Sequence, residues 1–216
     1  MSSVIDITGS LHDETVVWPG DTPFRRVLEH LFEDGSSYIL SHLVMTAHAG
    51  THIDAPLHVV EGGESVEKLD LGIFIGPCRV ALHEENRHID SADIGRMNLN
   101  GVERVLFRTR NSQLWDAPPF REDYVALTVP AAEKLVEIGV KLVGLDSLSI
   151  GPFGEEDEKV HRILLGNRLI VLESLDLRNA EPGDYELIAL PLKIIGGEAA
   201  PVRAVLRRVG AMEELS

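Results

Sequence analysis

The sequence predicts an α/β protein, and two observations point there. Residues 129–146 read as a helix handing over to a buried strand, and residues 159–173 repeat that hand-over. Helices alternating with wholly apolar strands indicate helices layered on a sheet. The second observation is size: 216 residues, 44% of them hydrophobic, are enough for one domain (residues 1–216) with a full core.

Taken in order, residues 3–8 predict a short strand ending at Gly9-Ser10. Residues 24–30 and 37–45 read as antiparallel strands around the turn Glu33-Asp34-Gly35-Ser36. Residues 66–71 form a short amphipathic piece, and residues 76–82 a strand with Val80 and Leu82 alternating. Ser91 opens a short helix as its N-cap, residues 102–108 a strand, and residues 111–123, with Pro118-Pro119, a loop. The clearest helix is 129–139, with Pro130 near its start and Gly139 at its end, followed by a strand over 140–146. An acidic loop at 155–158 leads to a helix over 159–165 ended by Gly166, then a strand over 169–172 closing on Glu173. Residues 185–195 and 202–209 read as two final strands around Gly196-Gly197.

Composition excludes several classes of function. Twenty Lys and Arg against 35 Asp and Glu give a net charge of −15, which argues against nucleic acid and anionic membrane as partners. No apolar run approaches a membrane span, and the acidic first residues do not resemble a signal peptide. A lone Cys78 rules out an internal disulfide framework or an all-cysteine zinc site and suits a reducing cytoplasm; it reads as a buried small hydrophobe.

The chemistry concentrates in His48-Ala-Gly-Thr-His52-Ile-Asp54-Ala-Pro-Leu-His58. Gly50 and Pro56 oppose a helix, so the stretch reads as a strand running into a tight loop. In an extended chain, residues 48, 52 and 54 share a face. Neutral imidazoles and a carboxylate suit zinc or manganese, and three ligands on one strand leave coordination positions open for catalysis. Chance clustering is a poor alternative, since three of nine histidines fall within eleven residues. In Val16-Val17-Trp18-Pro19-Gly20-Asp21-Thr22-Pro23, the two prolines and the glycine around Trp18 indicate a surface loop forming a lid or pocket wall. His161 alone reads as a helix-surface residue and Glu173 alone as a solvated strand end. No Gly-x-Ser-x-Gly elbow supports Ser147 or Ser149 as nucleophile. His12, His30, His42, His83 and His88 lack clustered partners and read as solvated.

The HxGTHxDxPxH pattern, the WPGD segment, GPCRV, HRILLGNRLIVLESL and GDYELIALPL together resemble the metal-dependent cyclase family over nearly the whole chain. The resemblance implies a mixed β-sheet or barrel-like core with flanking helices, of the swivelling β/β/α type. It implies that His48, His52 and Asp54 hold one divalent metal, and that Asp54 bridges to a second held by His161 and Glu173, the ions being zinc, with manganese the alternative. Trp18 would contact a small-molecule substrate, and the protein would be a dimer or tetramer. His58 is then a general acid/base, since an imidazole titrates near neutrality and passes protons both ways. The implied activity is hydrolysis of an aryl formamide such as N-formylkynurenine, or alternatively of an isatin-type cyclic amide or a lactone. A non-catalytic metal or small-molecule binding protein is the other class, but it has no need of His58. One departure concerns Asp146-Ser147-Leu148-Ser149-Ile150-Gly151, where Gly151 stands in place of the formamidases' acid; Asp146 could orient a ligand histidine or cap a strand end.

Overall fold

In the computed structural model, which describes residues 4–114 and 119–208, the alternation of apolar residues sorts the side chains of one large sheet between two cores. The strands are β1 (Val4–Asp6), β2 (Arg25–His30), β3 (Leu40–Val44), β4 (His52–Asp54), β5 (Ile75–Leu82), β6 (Arg104–Arg108), β7 (Leu142–Leu145), β8 (Ile170–Glu173), β9 (Gly183–Ile188), β10 (Ala199–Pro201) and β11 (Val205–Arg208). Nine lie in one mixed sheet, ordered β1-β11-β9-β5-β6-β7-β8-β4-β10, while β2 and β3 form a separate ribbon. Only β5, β6, β7 and β8 run parallel to their neighbours within that run; the flanking pairs are antiparallel. The sheet curls into a half-barrel, because the residues just after β1 reach those just after β8: Thr8 bridges Leu175, and Asp176 N donates to Ile7 O (3.0 Å). The expected mixed, barrel-like α/β core is therefore present.

Leu106, Leu142, Ile170, Leu172 and Ile53 join one core. Their neighbours Val105, Phe107, Val143, Leu145 and Val171 join the other, where the helices pack. Period-two alternation thus places both faces of β6, β7 and β8 in apolar surroundings. The helices are α1 (Ser91–Arg96), α2 (Val129–Glu137) and α3 (Glu155–Gly166). No helix among the described residues is long and apolar enough to cross a membrane.

Four expectations change. First, the motif is a strand only from His52; His48 sits in a turn, where Gly50 takes φ +68° and the Leu11 side chain packs where a Cβ would be. Second, Glu155, Glu156, Asp157 and Glu158 are the first turn of α3, not a loop, and their charges complement the positive end of the helix. Third, the cap of α1 is Asp90, which forms a reciprocal capping box with Asp93, rather than Ser91. Fourth, the strand expected to run from 185 to 195 ends at Ile188, and the short β10 appears beyond Gly197. Pro191 has no N–H to give a continuing ladder. Of the expected 111–123 loop, residues 115–118 lie outside the described residues, as does Val209 at the end of the last expected strand.

Asp146 proves to be a cap. Its buried carboxylate accepts from Thr109 N (2.7 Å), Thr109 Oγ1 (2.8 Å), Ser112 N (3.0 Å) and Ser112 Oγ (2.6 Å), tying the turn after β6 to the end of β7. Asp146→Ala strips buried backbone donors of their acceptor and should cost about 2–4 kcal/mol in urea unfolding with an unchanged m-value. A loss under ~0.5 kcal/mol would contradict this anchoring role.

Candidate metal centre and active site

The site starts from strand parity. On β4, Ile53 enters the core, so His52 and Asp54 point to the opposite face. β8 pairs antiparallel with β4, placing Glu173 opposite His52. Helix α3 adds His161: Val160, Leu164 and Leu165 seat the helix in the apolar layer, and His161 lies on the same buried side. His52, Asp54, His161 and Glu173 are all at least 96% buried.

These groups converge closely. His52 Nε2 lies 3.2 Å from Glu173 Oε2 and 3.4 Å from Asp54 Oδ1. His48 Nδ1 lies 3.0 Å from Asp54 Oδ1, while His161 Nε2 lies 3.5 Å from Asp54 Oδ2 and 3.2 Å from Glu173 Oε1. One oxygen of Asp54 therefore faces His48 and His52, and the other faces His161. Glu173 is further held by the Ile150 N–H, which donates to its Oε1 at 2.6 Å. His58, delivered by the 3-10 turn Pro56–His58, stands exposed at the rim between His48 and His161, with ring centroids 4.5 Å and 5.6 Å away.

The donor set fits a divalent metal. His52 Nδ1 is 2.9 Å from Gly50 O, and His161 Nδ1 is 2.9 Å from Asp157 O. A carbonyl only accepts, so Nδ1 of each ring carries a proton and Nε2 is left to face the carboxylates. His52 Nε2 and both oxygens of Asp54 are buried with no hydrogen-bond partner. Lone pairs facing lone pairs out of water call for a cation among them. Among the described residues, two sets of three bring ligand atoms within 4.8 Å of one another: His48, Asp54 and His58, and His52, Asp54 and Glu173. Without metal, protons fill the role. Burial pulls the His52 imidazole down, but Asp54 and Glu173 outweigh it and carry its pKa up to about 10. Burial would raise Asp54, yet His161, His48 and His52 hold it well below the usual carboxylate range. His58 moves the other way: loss of water on its inner side, with His48 and His161 nearby, outweighs Asp54 and holds it below the ordinary histidine value.

Trp18 is half-buried in an aromatic cluster, its ring 5.4 Å from both Phe120 and Phe153. Neither phenylalanine was singled out by the sequence, because isolated aromatics in irregular segments carry no pattern. Glu198 was also missed: its Oε1 is 3.5 Å from His48 Nε2, and its carbonyl accepts from Ala55 N at 2.8 Å. Only the pairing of β10 with β4 brings it there. His12, His30 and His42 are exposed as expected, but His83 is buried with Nε2 3.0 Å from Arg87 O, and His88 is half-buried. Burial pushes the Cys78 thiol up to about 12, so it is no nucleophile. At Gly151 a Cβ would come within 2.6 Å of Asp157 Cα, so the close approach of α3 leaves no room for an acid there.

A model of the Cyclase family matches residues 5–152. The chain belongs to this family. It is 42% identical over 207 residues to the kynurenine formamidase of Salinibacter ruber, covering 95% of this chain and 97% of that protein. A solved structure described as a potential metal-dependent hydrolase with cyclase activity superposes with a TM-score of 0.82 at 32% identity, covering 95% of this chain and 98% of that one. Isatin hydrolase A from Labrenzia aggregata shares the cyclase fold with a TM-score of 0.79 at 24% identity, over 94% and 92% of the two chains.

Metal uptake by this cyclase-family site should release protons. At about pH 7.5 the metal-free His52 is protonated, and an imidazole must be neutral to bind metal. Calorimetry in two buffers of different ionisation enthalpy should register the released protons, and affinity should weaken as pH falls. Buffer-independent heats would show that the histidines are not ligands.

Proposed function

We propose that this chain is a metal-dependent kynurenine formamidase, hydrolysing N-formylkynurenine to kynurenine and formate. The full-length match to a kynurenine formamidase supports the substrate. The observation that carries the chemistry is the buried Asp54, whose Oδ1 faces His48 and His52 and whose Oδ2 faces His161, neither oxygen with a hydrogen-bond partner. In this reading His48, His52 and Asp54 would hold one divalent ion, and His161 and Glu173, sharing Asp54, would hold a second. Zinc suits these nitrogen and oxygen donors, with manganese the alternative. Bound there, the metal supplies Lewis acidity toward a carbonyl and a lowered pKa for water.

The chain's own groups do the rest. His58, held below its ordinary pKa, is neutral at pH 7, so it takes a proton from the attacking water. It then returns that proton to the departing aniline nitrogen. Trp18 offers an aromatic face to the substrate ring, braced by Phe120 and Phe153. A formyl group, the smallest acyl unit, suits a carbonyl slot crowded by His48, His58 and Asp54. The lone, buried Cys78 supports a cytoplasmic location.

Two measurements test this reading. His58→Ala should keep the metal content of the wild type while losing ~10²–10⁴-fold in kcat, the usual size of a general acid/base contribution. A metal-depleted His58→Ala would make His58 a ligand, as its proximity to His48 and Asp54 permits. Among substrates, N-formylkynurenine and formanilides should be hydrolysed faster than acetanilides. Faster turnover of isatin or a lactone would replace the formamidase reading with the cyclic-substrate one.

A further inference from the structure

His58 sits on a loop that closes on itself. Leu57 N donates to Glu64 O (3.1 Å), and Val60 N donates to Pro56 O (2.9 Å). At Gly63 a Cβ would come within 2.8 Å of the Leu57 nitrogen, so the two limbs of the loop touch. Both ends are tied to one segment, Ala55 N donating to Glu198 O (2.8 Å) and Val66 N to Gly197 O (2.9 Å). A compact loop held at neighbouring points can swing about them as one piece, and His58 swings with it. The imidazole itself offers no brake: it is exposed, and no hydrogen bond holds it among the described residues.

Helix α3 supplies the brake. Arg162 Nη1 donates to Val59 O, the residue after His58, at 2.6 Å. Its Nε donates to Glu158 Oε1 at 2.7 Å, one helical turn back, so the guanidinium is already aimed where it meets the loop. The Val59 side chain packs against the helical core, and Arg168, just beyond α3, reaches Glu64 at 3.3 Å. Consecutive residues of one helix therefore do two things. His161 turns inward to Asp54 and Glu173, while Arg162 turns outward over the rim to the His58 loop.

We propose that Arg162 is a positioning residue for the acid/base. By tying the loop to the helix that carries His161, it fixes where the His58 imidazole stands relative to His48 and His161. The inference rests on the reading of His58 as acid/base. Arg162 is exposed, and an exposed charged contact adds little to global stability. Catalysis is less forgiving of geometry, since a misplacement of about 1 Å costs up to ~10²-fold in rate. The loss of this contact is thus read in turnover and not in folding.

Arg162→Met, which keeps the stem and removes the donors, tests this with formanilide as substrate. Metal content and thermal unfolding should match the wild type, KM should stay within about twofold, and kcat should fall ~10-fold. Arg162→Lys, which still offers a donor to one carbonyl, should recover most of that loss. Hydrogen exchange gives a readout without turnover. The amides of His58 and Val60 should exchange ~10-fold faster in Arg162→Met, with those of β4 unchanged. The deciding comparison is made in His58→Ala, where adding Arg162→Met should change kcat by less than about twofold. An equal ~10-fold loss in both backgrounds would place the effect in α3 or the metals, and an unchanged kcat on replacing Arg162 alone would show no role. Either result overturns the proposal. Full kcat in His58→Ala would instead remove the acid/base reading, and the proposal with it.

Discussion

Two carboxylates, Asp54 and Glu173, are taken out of water on one side of adjacent antiparallel strands, and the rest of the site exists to make that tolerable. Burying each charge costs several kcal/mol unless something opposite in sign stands against it. Three imidazoles do so here: His48, His52 and His161 all approach within 3.5 Å of a carboxylate oxygen. Their placement depends on the fold at every step. The register of β4 on β8 sets His52 against Glu173. The docking of α3 through Val160, Leu164 and Leu165 sets the third ring. Carbonyls of Gly50 and Asp157 fix which nitrogen of His52 and His161 faces inward.

The same balance decides how the metal-free chain responds to pH. His52 is raised above its ordinary value, so what it contributes to stability is complete below about pH 6.5 and disappears as pH rises through about 10. Asp54 is depressed, so its contribution is complete above about pH 4 and disappears as pH falls through its lowered pKa. Near neutrality the cluster is thus held by protons shared among nitrogen and oxygen donors. A divalent ion bound there would be a denser positive charge in their place.

What the sequence disclosed was local, and what it concealed was long-range. His48, His52, Asp54 and His58 lie within eleven residues, and strand parity alone puts His52 and Asp54 on one face. His161 and Glu173 followed only from resemblance, because neither a helix nor a short strand announces which side is buried. Helix α2 was legible from Pro130 and Gly139, while the start of α3 was hidden by four acidic residues that read as a solvated loop. β10 has three residues, Ala-Ala-Pro, too few and too small for any periodicity. His83 is buried, its Nε2 3.0 Å from the Arg87 carbonyl in a segment pinned by the Arg87–Asp93 pair, a contact that no sequence pattern announces.

The position of the site in the sheet has a cause of its own. From β5 to β8 the strands are parallel, so β6, β7 and β8 end toward the same side, and β4 reverses the direction next to β8. Crevices open where strand direction or order changes, because the flanking connections leave to different sides. Here the connection from β7 to β8 runs through Ile150 and α3 on the helical face, while the chain after β4 turns away through Pro56 to His58. Glu173, the last residue of the parallel run, lies opposite His52 at the start of the reversing strand, and Asp54 follows two residues on, opposite Val171, so both carboxylates line the seam between β8 and β4. A carboxylate pair buried anywhere in the parallel interior would be sealed by its neighbours. At this junction the pair is buried, and the exposed His58 stands beside the His48 and His161 rings that face it.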